Sequence, residues 1–166
     1  WLFIYFCNGI NVADLINLKF SDIQNGEISF IREKTKDRTR DTKRIYAPIT
    51  PEMQSIIEKW GNNPRKSIYI FPFMKAGDDA WEHEKKKKNL TKHINDRMKV
   101  IGEKLNIGKI TTYVARHTYA TVLRNEGVPV SIISPMLGHT SITTTEIYLA
   151  DLESENRARN ASLLSF

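Results

Sequence analysis

Three side-chain types in one stretch can do chemistry together. Between Thr111 and Ala150 the chain places Arg116 in a helical pattern, a Leu137-Gly138-His139 corner, and Tyr148 nine residues beyond that histidine. A cation, an imidazole and a phenol suit the attack of a phenolic oxygen on a phosphodiester. A free phenol, with a pKa of about 10, is a weak nucleophile at neutral pH. Cations gathered around a phosphate favour both the phenolate and the crowded anionic transition state.

These groups need elements to hold them. Ala115, Tyr119, Val122 and Leu123 recur at helical spacing and predict a buried stripe. Thr111 or Thr112 caps that helix and Gly127 ends it. Arg116 falls on the flank of the stripe, with Tyr113 one turn earlier and close to it. A half-sheltered guanidinium calls for an anion, and its planar fork fits a phosphate. Pro129 opens the next helix, and Pro135 kinks or ends it. Gly138 permits a left-handed turn that fixes His139 at a corner. Thr140 or Ser141 starts a last short helix carrying Tyr148.

The string Ala-Arg-His-Thr-Tyr-Ala-Thr, the Leu-Gly-His corner and a tyrosine nine residues past its histidine together resemble the catalytic core of the tyrosine recombinases, the phage integrase family. The resemblance implies a mainly α fold with a small antiparallel β-sheet (α+β), the catalytic-domain fold of DNA breaking-rejoining enzymes. It implies a site-specific recombinase or integrase of a mobile element, working through a 3′-phosphotyrosyl intermediate on Tyr148. Arg116 would bind non-bridging oxygens, and His139 would donate a hydrogen bond to the phosphate. Lys34, followed by Thr35, would protonate the leaving 5′-oxygen. The partners implied are double-stranded DNA and further copies of the chain, a tetramer on DNA, in the bacterial cytoplasm and at the nucleoid. Type IB topoisomerases share the chemistry, but the corner and the spacing resemble integrases.

Two positions depart from the pattern. In Gly9-Ile10-Asn11-Val12-Ala13-Asp14-Leu15 the family's first arginine is replaced by Asn11, and Tyr113 stands where the family has a histidine. A neutral amide supplies no charge, so another cation must, or the chain is a catalytically impaired DNA-binding relative. Residues 28–34 and 45–49 have strand character. Side chains two apart on a strand share a face, so Arg32 and Lys34 are expected to point together, and Arg32 to stand in for the absent arginine. Arg38, Arg40 and Arg44 rank lower for that role. His117 is expected to be a core histidine rather than a catalyst.

The rest of the chain sets bounds. At 166 residues with 40% apolar content it is about one domain with a real core. A net charge of +6 favours a polyanionic partner. Cys7 alone excludes a disulfide framework and fits an intracellular protein. The opening WLFIYF is too short to span a membrane and reads as the middle of a helix. The expectation is a catalytic domain over residues 1–166, with an N-terminal domain missing. No ligand-spaced His/Cys/Asp/Glu cluster predicts a metal, and no glycine-rich phosphate loop predicts a nucleotide, so no cofactor is expected.

From Arg32 to Arg44 seven cations face three acids, which suggests a DNA-contacting hairpin built on Lys36, Arg38, Arg40 and Arg44. Pro51 opens a helix to about Trp60, and residues 68–71 suggest another short strand. Lys85, Lys86, Lys87 and Lys88 are expected at the start of a helix whose stripe is Leu90, Ile94, Met98, Ile101 and Leu105. There they would oppose the helix dipole unless a DNA backbone lay near. The tail after Ala150 ends in apolar Leu163, Leu164 and Phe166, which need a surface to cover.

Overall fold

The computed structural model describes residues 1–34 and 43–150. Lys36, Arg38, Arg40 and the tail from Asp151 lie outside them. Helix α1 (Leu2–Phe6) buries Phe3 and Ile4 and stops at Asn8-Gly9, both of which have positive φ. Helix α2 (Val12–Leu15) follows. A short 3-10 turn (Phe20–Asp22) then leads into an antiparallel sheet of β1 (Ile23–Gln24), β2 (Glu27–Ile31) and β3 (Arg44–Pro48), in that order. In the register Ile28 faces Ala47 and Phe30 faces Ile45. These four are buried, so one continuous apolar surface sits against the helices.

The helices carry the caps their sequences call for. Helix α3 (Pro51–Trp60) starts on Thr50, whose hydroxyl accepts from the Met53 N–H at 3.3 Å, with Pro51 where no N–H is needed. Helix α4 (Ala80–Leu105) starts on Asp79, which accepts from the Glu82 N–H, and ends on left-handed Asn106. Helix α5 (Thr112–Asn125) starts on Thr111. Helix α6 spans Val130–Met136, and α7 covers 142–150 of the described chain.

Two apolar clusters organise these elements. The larger joins α1, α2, the sheet, α3 and the segment around Ile70 and Phe71, and reaches Ala115. The smaller gathers Ala120, Ile133, Leu137 and Leu149 from α5, α6 and α7. Helix α5 belongs to both, so Arg116 sits where they meet. Asn8 pins the junction: it donates to the Tyr46 carbonyl and accepts from the Tyr119 hydroxyl, each at 2.9 Å. Trp1 donates its indole N–H to the Thr111 carbonyl at 2.7 Å, tying α1 to the start of α5.

Several expectations need correction. Strand β2 ends at Ile31, and Lys34 lies in the turn that follows, so the pleat does not align Arg32 with Lys34. Residues 68–71 form no strand; Tyr69 makes one isolated bridge to Lys19. Helix α4 begins five residues before Lys85, so the lysine run lies in its second and third turns, beyond the range where the dipole acts. Val122 is exposed, because α5 turns that edge to solvent while Ala120 takes the buried place. Ile101 and Leu105 are likewise exposed, since α4 extends past the core at its C-terminal end. Helix α6 accommodates Pro135 and ends at Met136.

Candidate active site

Arg116 is the deepest charged group of the site, only 5% exposed. Its Nη1 donates to the Gly9 carbonyl at 3.0 Å, and its Nη2 donates to the Leu137 carbonyl. Nη2 also lies 3.2 Å from His139 Nε2. A guanidinium has donors only, so the arginine holds three separated pieces of chain together: the turn after α1, the corner after α6, and its own helix. Among the described residues, Nε–H and one hydrogen of Nη1 are left for an anion. Burial first, then the charge of Arg32, pull the Arg116 guanidinium down to about 10, which leaves it charged at neutral pH.

Arg32 reaches the same corner from the end of β2. Its Nη1 donates to the Gly138 carbonyl at 3.2 Å, and its Nε lies 4.0 Å from Asp14 Oδ2. Asp14 is buried on α2 and accepts the Glu33 backbone N–H at 2.7 Å. Burial raises its carboxyl above the ordinary range, opposed by that hydrogen bond and by Arg32. Two glycines make the crowding possible. A Cβ on Gly9 would lie 2.8 Å from Arg116 Cα, and one on Gly138 would lie 2.5 Å from Arg32 Cδ; both residues also have positive φ.

His139 is fixed at both ring nitrogens. Nε2 faces Arg116, and Nδ1 lies 2.8 Å from Thr145 Oγ1 on α7. Its backbone N–H bonds to the Ser134 carbonyl, closing the corner. Burial, then Arg116, then Arg32 lower its pKa to about 4, so the ring is neutral at physiological pH.

Tyr148 completes the group from α7. Its ring stacks on His117 (5.0 Å between centroids, 13° between planes) and stands edge-on to His139 (5.9 Å) and Tyr113 (6.2 Å). The hydroxyl oxygen is shut off from solvent. Burial, then Tyr113, push its phenol well above the ordinary value, and only Arg116 opposes them. The nucleophile candidate is therefore sheathed in this conformation.

One cavity of about 600 Å³ is lined by Arg32, Lys34, Tyr113, Arg116, His139 and Tyr148, together with Asn11. All six catalytic candidates thus face one space, and Asn11 turns toward it at the N-cap of α2. Arg32 and Lys34 arrive there through a turn rather than through the pleat. The remaining basic candidates among the described residues lie elsewhere. Arg44 crosses to Ser29, donating to its carbonyl at 3.1 Å and its hydroxyl at 3.2 Å, outside this cavity. Each lysine of the run has a carboxylate: Lys85 has Glu82, Lys86 has Asp78, and Lys87 and Lys88 have Glu84. A larger groove of about 1040 Å³ runs along α4 and meets the cavity at Ala13; Lys87, Lys88, Lys92, Lys99 and Lys109 line it, with Glu84, Asp96 and Glu103. Among the described residues no cluster of three metal-ligating side chains occurs, and no helix is long and apolar enough to cross a membrane.

Sequence reasoning missed Asp14 and Thr145, and it expected His117 to be a core histidine, whereas His117 is half-buried and stacks on Tyr148. The signal for Thr145 was its place three residues before Tyr148 on one helix, which puts both on neighbouring faces. No spacing rule could find Asp14, since its partners come from β2 and the turn beyond.

Known proteins share both sequence and fold with this chain. The model of the phage integrase family matches residues 2–155. Tyrosine recombinase XerA of Pyrococcus furiosus is 31% identical over 142 residues, covering 84% of this chain and 45% of that protein. The crystal structure of XerA recombinase superposes with a TM-score of 0.60 at 23% identity, covering 93% of this chain and 56% of that one. The Tn1549 transposon integrase in complex with a circular intermediate DNA gives a TM-score of 0.60 at 17% identity, covering 89% and 52%. The chain spans about half the length of the curated relatives it matches, and the two structural likenesses show a common fold. With the family's motifs drawn around one cavity and a match along most of its length, the chain belongs to the phage integrase family.

Proposed function

We propose that this chain is the catalytic domain of a site-specific DNA recombinase of a mobile element, which cleaves and rejoins double-stranded DNA through a 3′-phosphotyrosyl intermediate on Tyr148. The observation that carries the proposal is the convergence of two guanidiniums, a neutral imidazole, Lys34 and a phenol on one cavity. A scissile phosphate there meets Arg116 through its remaining donors and Arg32 beside it. Arg32 supplies the second positive charge that Asn11 cannot. Tyr148 Oη gives its proton to water and bonds to phosphorus as the bond from phosphorus to the 5′-oxygen breaks, and that oxygen departs with a proton from Lys34, which the exposed turn leaves free to follow the strand. His139 donates a hydrogen bond to a non-bridging oxygen. Rejoining reverses the steps, with the phosphotyrosyl ester conserving the energy of the broken bond.

The enclosed Tyr148 must leave its aromatic sheath before attack. The DNA backbone follows the lysine-lined groove along α4, and its affinity falls with salt as phosphate contacts are lost. Lambda integrase residues 75–356 form a dimer bound to a core site in one solved structure, and a tetramer of the whole protein on DNA is the working form proposed here.

The test is a nicked suicide substrate made from the junctions of the host element, incubated with the full-length protein. A protein–DNA adduct that maps to Tyr148 and vanishes in Tyr148→Phe supports the proposal. DNA binding without any adduct supports the impaired DNA-binding relative instead.

A further inference from the structure

Thr145 is polar and completely buried, at 0% exposure. It lies one helical turn before Tyr148 on α7, and its hydroxyl meets His139 Nδ1 at 2.8 Å. At the other ring nitrogen stands Nη2 of Arg116, 3.2 Å away. A guanidinium can only donate. In this conformation Nε2 is therefore the acceptor, the neutral ring carries its proton on Nδ1, and the threonine oxygen accepts that proton's hydrogen bond.

The arrangement is the wrong one for gripping a phosphate. A phosphate oxygen needs a donor, so Nε2 must carry the proton when the anion is bound, and Nδ1 must become an acceptor. The group beside Nδ1 has to accept in the first state and donate in the second. A backbone carbonyl or a carboxylate in that place could only accept and would lock the proton on Nδ1. A hydroxyl serves both states by rotating its hydrogen about the Cβ–Oγ bond.

We propose that Thr145 is a positioning residue that lets His139 exchange tautomers as a phosphate enters, the ring proton sitting on Nδ1 while Arg116 occupies Nε2 and on Nε2 once a phosphate oxygen takes that place. The inference rests on the assignment of this cavity as a phosphate site. The ring loses one proton at Nδ1 and gains one at Nε2 by exchange with solvent, so its charge does not change. Because Thr145 rides on the helix of the nucleophile, the same bond reports to the histidine where that helix stands.

Nitrogen NMR of the chain labelled uniformly with nitrogen-15 at pH 7 tests this, with His139 assigned by comparison with His139→Gln and inorganic sulfate as the probe. The free chain is expected to show a protonated Nδ1 and a bare Nε2, and saturating sulfate is expected to reverse them. Thr145→Ser should behave like the parent. Thr145→Val, which keeps the shape and removes the hydroxyl, should fail to reverse and should bind sulfate about fivefold more weakly, the loss of one ordinary hydrogen bond. A free chain already protonated at Nε2 overturns the proposal without recourse to any variant, as does full reversal in a folded Thr145→Val. Sulfate that leaves the His139 signals untouched while shifting none of the cavity residues overturns the phosphate site itself, and the tautomer proposal with it. Sulfate that binds in the cavity, seen at Arg116, but leaves the ring proton on Nδ1 overturns the tautomer proposal alone.

Discussion

Arg116 and Arg32 hydrogen-bond to adjacent backbone carbonyls, those of Leu137 and Gly138. Two guanidiniums far apart in sequence are thereby set side by side, with Asp14 4.0 Å from Arg32 as the nearby carboxylate. Like charges held this way raise each other's energy, and the charge of Arg32 is the second-largest cause, after burial, of the lowered Arg116 pKa. An anion between them relieves that cost.

Arg32→Ala should therefore reduce DNA cleavage by about 10²–10³-fold, the loss usual for one transition-state donor, while the fold persists. Adding Asn11→Arg to that variant should recover part of the activity, since Asn11 lines the same cavity. Single-turnover cleavage with circular dichroism as a folding control measures both. Unchanged cleavage in the single variant would remove Arg32 from the mechanism.

Gly138→Ala should destabilise the chain by about 1–3 kcal/mol, through its left-handed backbone and the overlap its methyl would create. The new Cβ would lie 2.4 Å from Ile45 Cδ1 and 2.5 Å from Arg32 Cδ. Urea denaturation reads the loss, and cleavage should fall further than stability alone explains, because Arg32 must shift.

His139 should make stability depend on pH in a defined window. Its pKa falls from 6.5 to about 4 on folding, so between those values the unfolded chain binds the extra proton. Stability contributed by the neutral ring is full above about pH 6.5 and is lost as pH falls toward 4. Denaturation of the parent and of His139→Gln at pH 7 and pH 4.5 should show the parent losing more on acidification. The comparison isolates this residue from Asp14, whose raised pKa acts in the opposite direction.

Cys7 should resist alkylation in the folded chain. It is fully buried, and burial pushes its thiol up to about 12. A thiol reagent should react only as fast as the chain opens, and stoichiometrically in denaturant.

Local patterns carried most of the helices. Thr50-Pro51, Thr111 and Gly127 mark boundaries by chemistry that acts within a few residues, and the structure uses them as caps and stops. The convergence of Arg116, His139 and Tyr148 was legible because all three lie in one stretch whose motifs resemble a known family. What was not legible depends on contacts across the chain. The end of β2 at Ile31 follows from Glu33 bonding to Asp14, a partner 19 residues away. The lysine run was misplaced because Asp79, its true N-cap, lies beyond an apparent loop. The short pairing of β1 depends on Asn25-Gly26, both left-handed, a hairpin signal that went unused.

Arg116 is as much a brace as a reagent, since it ties the turn at Gly9 to the corner at Leu137 from inside the core. Lys34 lies exposed in the turn after β2 and can change with little harm to the fold, whereas loss of Arg116 unties both the turn and the corner. Its retention in a related sequence therefore testifies first to an intact scaffold.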